Sequence, residues 1–516
     1  MCGACPTSRR RRNERGLIAV QSDPPVLARP AKVTVTTTDT RTLPIRAVAS
    51  APADEAADEV GLYEIRRKIY PRAVTGRFAT WRVLMVVATQ LFFYGAPWLI
   101  WNDRQAVLFD LAARKFYIFG LVFWPQDVIY LTVLLILSAF SLFLFTAVAG
   151  RVWCGFACPQ TVYTEIFLWI ERKIEGDRLA RIRLDAEPLS AHKLVKKGGK
   201  HAVWIALSLW TGITFVGYFT PIRELVPAFP AGLSATELFW VLFYGFATYG
   251  NAGWMREQVC KYMCPYARFQ SVMFDHDTLI IAYDEKRGEP RGARGKSVDR
   301  VATGKGDCID CKICVQVCPT GIDIRNGLQY ECIGCAACVD GCDQVMDKMG
   351  YPRGLIRYAS QNALAQGLSK AATWRRVLRP RTLVYTGTLL AITVVAGVSL
   401  LTKNPLKVDV IRDRGALARE ASPGVMENVY RVQIMNTSEA PHRFRLRAEG
   451  LPGIAVSGVP ATIDVAAGAT RLLPLRLQVP AEAAAPGTHR VELVIEAEDD
   501  AAMARRERST FILPRP

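Results

Sequence analysis

Apolar residues are concentrated in five stretches of the chain, each long enough to cross a lipid bilayer as a helix of about 20 residues. The pattern predicts transmembrane helices at about 81–101, 126–149, 201–220, 234–254 and 382–401. Tryptophan and tyrosine recur near several of their ends, where such side chains anchor a helix at the membrane surface. Long polar segments separate the second stretch from the third and the fourth from the fifth. We therefore expect membrane helices that alternate with soluble parts.

A different pattern begins after the fifth stretch. Apolar and polar residues alternate in the segments "VYRVQIMN", "HRFRLRAEG", "TRLLPLRLQV" and "HRVELVIEAE", which Pro- and Gly-rich turns separate. This period of two is typical of β-strands with one buried face, so we predict an antiparallel β-sandwich. The first 60 residues lack any such periodicity, and their Arg-, Ala-, Pro- and Thr-rich composition predicts a disordered basic tail.

The formal net charge of +18 is unevenly distributed, and the distribution predicts an orientation in the membrane. Lys and Arg number 14 in residues 1–79, 10 in 150–200 and 19 in 255–380, but three in 102–125 and one in 221–233. Because basic loops stay in the cytoplasm, the first three regions are predicted to be cytoplasmic, and five spans then put the β-sandwich in the periplasm of a bacterial inner membrane. This crowding of basic residues beside apolar stretches favours the lipid bilayer, and not nucleic acid, as partner.

Residues 308–342 contain two copies of the spacing C-x2-C-x2-C-x3-C. Ferredoxins with two [4Fe–4S] clusters use this spacing, and each cluster takes its fourth thiolate from the other run. The predicted ligands are Cys308, Cys311, Cys314 and Cys342 for the first cluster, and Cys332, Cys335, Cys338 and Cys318 for the second. The alternative is a structural zinc site, but such sites use separated C-x2-C pairs instead of complete runs.

Two further cysteine pairs have the spacing C-x3-C-P, and each follows the second of two apolar stretches. They are Cys154 and Cys158 in "RVWCGFACPQ", and Cys260 and Cys264 in "EQVCKYMCPY". On a helix the i, i+4 spacing puts both sulfurs on one face, so the two pairs would offer four thiolates to Cu(I) or to a further cluster. The alternatives are buried cysteines that serve as small apolar side chains, and a regulatory disulfide, which a reducing compartment disfavours.

The predicted organisation is a multidomain membrane protein. It consists of the tail (1–60), a four-helix membrane region (61–255), a cytoplasmic α+β ferredoxin domain (256–380), a fifth membrane helix (382–401) and an all-β terminal domain (402–516). The tail carries one more pair, Cys2 and Cys5 in "MCGACP", which could collect a soft metal ion or have no function in a freely varying tail.

The order of these features closely resembles the CcoG/FixG/RdxA family of accessory proteins for the assembly of cbb3-type cytochrome c oxidase. The resemblance covers about residues 60–516, and its most specific parts are "WCGFACPQTV", "CKYMCPYARFQSVMFD" and the two cluster runs. It implies a membrane polyferredoxin that reduces Cu(II) to Cu(I) in the cytoplasm, for insertion into the copper-containing subunit of the oxidase. It also implies an immunoglobulin-like terminal domain.

The leading hypothesis is therefore a cupric reductase, in which electrons from an unidentified donor pass through two clusters to copper held by the four C-x3-C-P thiols. The expected partners are the copper ion, the bilayer, and factors for copper transport and oxidase assembly. One alternative is a quinol-linked electron conduit like the membrane ferredoxins of nitrate and nitrous oxide respiration, which share the C-x3-C-P spacing. Another is a non-enzymatic assembly scaffold whose clusters are structural or sensory.

Overall fold

The computed structural model describes residues 68–298, 304–413 and 418–514. The predicted tail at 1–60, with Cys2 and Cys5, lies outside these residues. In the described part, the α-helices are α1 (Arg77–Gly95), α2 (Val128–Ala149), α3 (Val152–Phe156), α4 (Pro159–Glu175), α5 (Arg178–Ala186), α6 (Ala191–Val216), α7 (Ile222–Ala228), α8 (Ala235–Thr248), α9 (Pro265–Met273), α10 (Glu285–Gly288), α11 (Ile313–Gln316), α12 (Ala337–Met349), α13 (Gln361–Gln366), α14 (Lys370–Val377) and α15 (Pro380–Leu401). Two π-helical segments, Tyr249–Met255 and Val259–Met263, lie between α8 and α9.

The strands fall into a group of short ones near the first helices, one pair in the cysteine-rich region and a larger set near the C-terminus. They are β1 (Ile100–Trp101), β2 (Arg104–Gln105), β3 (Val107–Asp110), β4 (Lys115–Ile118), β5 (Leu121–Phe123), β6 (Ile280–Tyr283), β7 (Ile356–Ala359), β8 (Leu406–Arg412), β9 (Arg419–Ser422), β10 (Val425–Asn436), β11 (His442–Glu449), β12 (Ala455–Ser457), β13 (Ile463–Val465), β14 (Thr470–Pro480), β15 (Gly487–Ala497) and β16 (Ala504–Leu513).

In the described residues, three helical segments are long and apolar enough to cross a membrane: Arg77–Trp98, Pro125–Ala149 and Pro380–Leu401. They coincide with the first, second and fifth predicted spans. The third and fourth predicted spans lie in α6, which begins with a lysine-rich turn, and in α8, which has 14 residues before it continues as a π-helix. The five-span count therefore stays a prediction.

Helices α6 and α8 pack closely against each other. Gly212 on α6 faces α8, and a Cβ atom at this position would lie 2.2 Å from the carbonyl oxygen of Val241. Glycine is therefore needed at this crossing, because any side chain would separate the two helix backbones.

The ends of α1, α2 and α15 that lie beside the cysteine-rich region are fixed by its side chains. Asp340 on α12 accepts hydrogen bonds from the backbone N–H groups of Phe78 (3.2 Å) and Ala79 (2.7 Å), and so caps the first turn of α1. Arg379, which precedes α15, donates to the carbonyl oxygen of Ala147 at the end of α2 (2.7 Å). At the opposite ends, Lys403 after α15 pairs with Asp127 before α2 (3.0 Å). The helices thus connect two separate soluble regions.

The cysteine runs lie in a small α+β domain. Strands β6 and β7 pair in antiparallel fashion, with Ile280 opposite Ala359, and α11 packs against α12. Its buried core mixes apolar side chains with cysteines, for example Ile356 and Met346 with Cys308 and Cys314. This is the α+β arrangement that the sequence predicts.

The C-terminal region is a sandwich of two antiparallel sheets, with strand orders β12-β14-β10-β8 and β13-β11-β15-β16, and with β9 paired to β10. Each of the four alternating segments forms a strand, and its apolar face is buried between the sheets; Tyr430, Val432 and Ile434 of β10 are fully buried. The β-sandwich prediction is confirmed.

The segment between the first two spans contains strands that the pattern of apolar and polar residues does not predict. Strands β3, β4 and β5 form a small antiparallel sheet after the hairpin of β1 and β2. Val122 and Trp124 pack against Met435 of the sandwich, and the Trp101 indole N–H donates to Glu439 (3.0 Å). This segment therefore supports the terminal domain.

Candidate iron–sulfur and thiol site

Two small cavities in the α+β domain are lined by the cysteines of the two runs. The first is lined by Cys308, Cys311, Cys314 and Cys342, with Arg325 beside them. The second is lined by Cys318, Cys332, Cys335 and Cys338, and Cys314 also borders it. Each cavity thus combines three cysteines of one run with the fourth cysteine of the other. Their individual roles as ligands stay predictions.

The chemistry of these cavities suits [4Fe–4S] clusters, which need four thiolates each. Burial raises the pKa of Cys314, Cys332 and Cys342 to about 12. Burial and the neighbouring Cys335 raise the pKa of Cys338 well above its usual range. Thiols with a raised pKa keep their protons at neutral pH unless a metal replaces them, so the grouping of cysteines around each cavity favours a bound metal centre. In the described ranges, no three His, Cys, Asp or Glu side chains lie close enough together to hold a single ion directly.

The helical i, i+4 geometry considered for each C-x3-C-P pair does not occur, because the helix breaks at the second cysteine of each pair. Cys154 lies in the short helix α3, but Cys158 is extended (φ −61°, ψ 129°) and α4 begins at Pro159. Cys264 is also extended (φ −83°, ψ 108°), and α9 begins at Pro265. Proline disfavours the helical conformation of the residue before it but suits the first position of a helix. The C-P dipeptide therefore ends one helical segment and starts the next.

The four thiols of the two pairs nevertheless lie close together. Burial, with a contribution from Cys158, raises the pKa of Cys154 to about 11. Burial, with contributions from Cys158 and Cys154, raises the pKa of Cys260 to about 12. Burial also raises the pKa of Cys158, and Cys264 adds to this shift. The fold thus brings the two pairs into one partly buried site, and none of the twelve cysteines in the described residues forms a disulfide.

The first pair touches the loop that lines the second cysteine cavity. Gly155 lies so close to this loop that a Cβ atom there would be 2.8 Å from Cys335 Cα and from the carbonyl group of Gly334. Cys154 and Cys260 also pack in one apolar cluster with Cys335. The thiol site and the second cavity therefore adjoin each other directly.

Two polar residues that the sequence analysis does not single out support this contact. The buried Arg151 donates to the carbonyl oxygens of Tyr330, Cys332 (3.2 Å) and Ala267 (2.8 Å). Gln270 on α9 accepts a hydrogen bond from the Cys154 thiol (3.2 Å). No local signal identifies either residue, because their partners are distant in sequence. Gly155, in contrast, has a local signal in the sequence, because a glycine between two cysteines indicates that another backbone segment approaches closely there.

Three protein-family models match the chain. A 4Fe-4S dicluster domain matches residues 255–361, an IG-like fold at the C-terminal of FixG matches 396–514, and a 4Fe-4S binding domain matches 131–176. Nitrogen fixation protein FixG of Rhizobium meliloti (strain 1021) is 40% identical over 442 residues, which cover 79% of this chain and 83% of that protein. The chain belongs to the FixG/RdxA family.

Two other members of the FixG/RdxA family come from Cereibacter sphaeroides. Protein RdxA is 40% identical over 432 residues (81% of this chain, 91% of that protein), and protein RdxB is 39% identical over 463 residues (87% and 97%). Together with the cavities, these matches identify an iron–sulfur electron-transfer protein of the membrane with two [4Fe–4S] clusters and an immunoglobulin-like terminal domain. The zinc alternative is therefore wrong.

Proposed function

We propose that this member of the FixG/RdxA family is a cupric reductase, which converts Cu(II) to Cu(I) in the cytoplasm for the assembly of cbb3-type cytochrome c oxidase. The observation that carries the proposal is the direct contact between the C-x3-C-P thiols and the loop of the second cysteine cavity, at Gly155 and Cys335. Soft thiols and a one-electron carrier at contact distance are what the reduction of a thiophilic metal ion requires.

In this proposal, each cluster is held by the predicted set of four cysteines. The first set is Cys308, Cys311, Cys314 and Cys342, and the second is Cys332, Cys335, Cys338 and Cys318. When bound, the clusters supply one-electron transfer. Burial raises the pKa of the Cys335 thiol, and the positive charge of the nearby Arg82 opposes this rise. The same charge would favour a more negative, reduced cluster beside it.

The substrate ion would be held by Cys154, Cys158, Cys260 and Cys264, which would have to move closer together around it, because no three of these described thiols lie within reach of a single ion in this structure. Cu(II) gains one electron and becomes Cu(I), the form that thiolates prefer, so the ligands help to drive the reduction. The electron comes from a donor outside the chain, and Cu(I) leaves to factors for copper transport and oxidase assembly. The partly buried position of the thiols shields Cu(I) from water, in which free Cu(I) disproportionates, and from dissolved oxygen, which oxidises it.

The proposal is tested with the purified, cluster-loaded protein, reduced and freed of excess reductant without oxygen. Addition of Cu(II) with a Cu(I)-specific chelator should produce coloured complex in the wild type. The Cys154→Ser/Cys260→Ser variant should lose most of this activity while it keeps the iron content and the cluster spectrum. The Cys2→Ser/Cys5→Ser variant is the matched control and should behave as the wild type. Equal Cu(I) formation by all three proteins would rule out the thiol site.

The proposed topology has five spans, with the N-terminus and ferredoxin domain in the cytoplasm and the sandwich in the periplasm of the inner membrane. Helices α6 and α8 support it, since they pack on each other and the end of α6 lies beside the segment between the first two spans, where Gln105 donates to the carbonyl oxygen of Gly217 (2.8 Å). Reporter fusions after residues 190, 230 and 405 test it. A periplasmic signal from the first fusion, or a cytoplasmic one from either of the others, would contradict it.

One observation favours a second candidate for the thiol site, namely a further iron–sulfur cluster. The 4Fe-4S binding model matches residues 131–176, where the described cysteines are Cys154 and Cys158. Iron analysis and paramagnetic resonance of the anaerobically purified protein distinguish the two candidates. A third cluster signal that the Cys154→Ser/Cys260→Ser variant lacks would assign iron to the thiols.

A quinol-linked conduit is the other candidate with a specific observation in its favour. An aromatic cavity lined by Phe215, Trp240 and Tyr244, with Glu237 at its side, could accept a quinone ring. It lies beside α8, however, and not beside the cysteines: the first π-helical segment, Tyr249–Met255, lies between the end of α8 and Cys260, and no cysteine of the described residues lines the cavity. Oxidation of quinol by the purified protein would favour the quinol-linked conduit over the cupric reductase.

A further inference from the structure

A cavity rich in arginine lies beside the second cluster cavity, where α1, α4 and α5 meet the cysteine-rich loop. Its charged lining consists of Arg72, Arg82, Arg172, Arg181 and Glu165. We call it the arginine cavity. Four guanidinium groups face one carboxylate, so the lining carries a net charge of about +3. A charge of this size in a partly buried cavity is unfavourable without an anion.

The single carboxylate does not neutralise the arginines. Glu165 lies 3.7 Å from an Arg82 nitrogen and 3.5 Å from an Arg172 nitrogen, both longer than a good charged hydrogen bond. Arg181 has other partners, Glu171 (3.3 Å) and the carbonyl oxygen of Pro71 (2.5 Å). With Arg181 paired to Glu171, an excess of about two positive charges remains in the cavity, because Arg72, Arg82 and Arg172 share the single carboxylate of Glu165.

Several donors in the lining also lack an acceptor. The Nε atoms of Arg82, Arg172 and Arg181 are buried and have no hydrogen-bond partner. Arg82 is 9% exposed and Arg181 is 1% exposed, so water does not easily replace the missing acceptors. Leaving a buried donor without an acceptor costs about 1–3 kcal/mol, and native structures rarely do so.

We propose that the arginine cavity binds a phosphate group. Guanidinium groups match the oxygens of a phosphate with paired, charge-assisted hydrogen bonds, and a phosphate would satisfy both the excess charge and the unpaired Nε atoms. The ligand has two sources: the headgroup of an anionic lipid, or a soluble phosphate compound. The proposal does not depend on copper reduction.

The arginine cavity lies beside the second cluster, so a ligand bound in it would affect electron transfer by that cluster. Ala79 and Val83 of α1 line one wall, at the start of the first candidate membrane span, where lipid headgroups lie. Val317 and Pro319, the neighbours of Cys318, line another wall. A phosphate here would bring negative charge next to the second cluster and lower its reduction potential. Occupancy would thus adjust the driving force for electron transfer.

The test uses the full-length, cluster-loaded protein in two kinds of nanodisc, one of phosphatidylcholine alone and one of phosphatidylcholine with phosphatidylglycerol. Native mass spectrometry of the second preparation reports retained phosphatidylglycerol, and calorimetric titration of the first with inorganic phosphate reports a soluble ligand. The variant is Arg72→Gln/Arg172→Gln, and exposed Arg268 on α9 supplies the matched control Arg268→Gln.

If the proposal is right, one of the two probes binds to the wild type and to the control, and binds at least about tenfold more weakly to the double variant. If phosphatidylglycerol is retained but inorganic phosphate does not bind in the titration, the cavity is a lipid site. If inorganic phosphate binds saturably, the ligand is a soluble phosphate compound. The bound probe should also lower the potential of one cluster, which a redox titration of the wild type measures.

Binding of neither probe, or binding that the double variant leaves unchanged, would overturn the proposal. If the double variant loses iron, the single variant Arg72→Gln replaces it, because Arg72 is exposed and its described hydrogen bond is made by its backbone N–H. If the wild type binds phosphate but does not reduce Cu(II), the proposed function is contradicted and the phosphate site is not.

Discussion

The two C-x3-C-P pairs are alike in sequence but differ in local structure. In both, the second cysteine is extended before a proline that starts a helix. Cys154 lies in an α-helical turn, whereas Cys260 lies in the π-helical turn Val259–Met263. Three residues before these cysteines, the first pair has Arg151 and the second has Glu257.

The difference gives the pairs different neighbours. The first pair is fixed to the loop that lines the second cysteine cavity, by hydrogen bonds from Arg151 and by the close approach of Gly155. In the second pair, Cys260 borders a polar cavity with Arg82, Glu165 and Glu257 among its lining residues. The shared spacing therefore determines only the break before proline. The surrounding chain decides which pair is anchored to the loop of the second cysteine cavity by hydrogen bonds and which pair borders the polar cavity.

The largest effect is expected when Arg151, the anchor of the first pair, is removed. Arg151→Leu leaves the carbonyl oxygens of Tyr330, Cys332 and Ala267 without this donor. Each unsatisfied buried group costs about 1–3 kcal/mol, so we expect a loss of about 3 kcal/mol or more. Anaerobic denaturant unfolding, followed by cluster absorbance, measures it. Arg268→Leu is the control, and equal midpoints for the two variants would contradict the role of Arg151.

A smaller effect is expected from one added methyl group. In Gly155→Ala the new Cβ would lie 2.8 Å from backbone atoms of Gly334 and Cys335, which cannot move aside as a side chain would. We expect a destabilisation of about 1–3 kcal/mol and slower reduction of Cu(II). Gly250→Ala, before the second pair, is the matched control, because no atom outside its own helical segment lies within 4 Å of the new methyl group. If both variants lose activity equally, the contact at Gly155 is not special.

These features also show how far the sequence could predict the molecule. The sandwich was predictable, because buried and exposed positions alternate in β10, β11, β14 and β15. The two cysteine cavities were predictable, because metal coordination requires a fixed spacing. The small strands β1 to β5 were not, since each is four residues or fewer and is stabilised by contacts with residues such as Met435 and Glu439.

The thiol site was predictable in composition but not in geometry. The sequence identifies the four cysteines, and the rule that proline disfavours a helical residue before it would have placed the breaks at Cys158 and Cys264. The roles of Arg151 and Gln270 depend on partners more than a hundred residues away, at Cys332 and Cys154. Periodicity carries no information about such contacts. The arginine cavity is likewise formed by residues from four separate segments.

The smallest effect is expected at Gln270, whose hydrogen bond links the helix after the second pair to the first pair. Gln270, on the helix after the second pair, accepts a hydrogen bond from the Cys154 thiol of the first pair and donates to Thr146 (3.5 Å). Gln270→Met keeps the volume but removes these bonds, so we expect a loss of about 1 kcal/mol and little change in iron content. Because the substitution removes a hydrogen-bond partner of Cys154, copper bound by this thiol under the proposed function should show a changed absorption spectrum. An unchanged spectrum would mean that Cys154 is not a ligand of the copper.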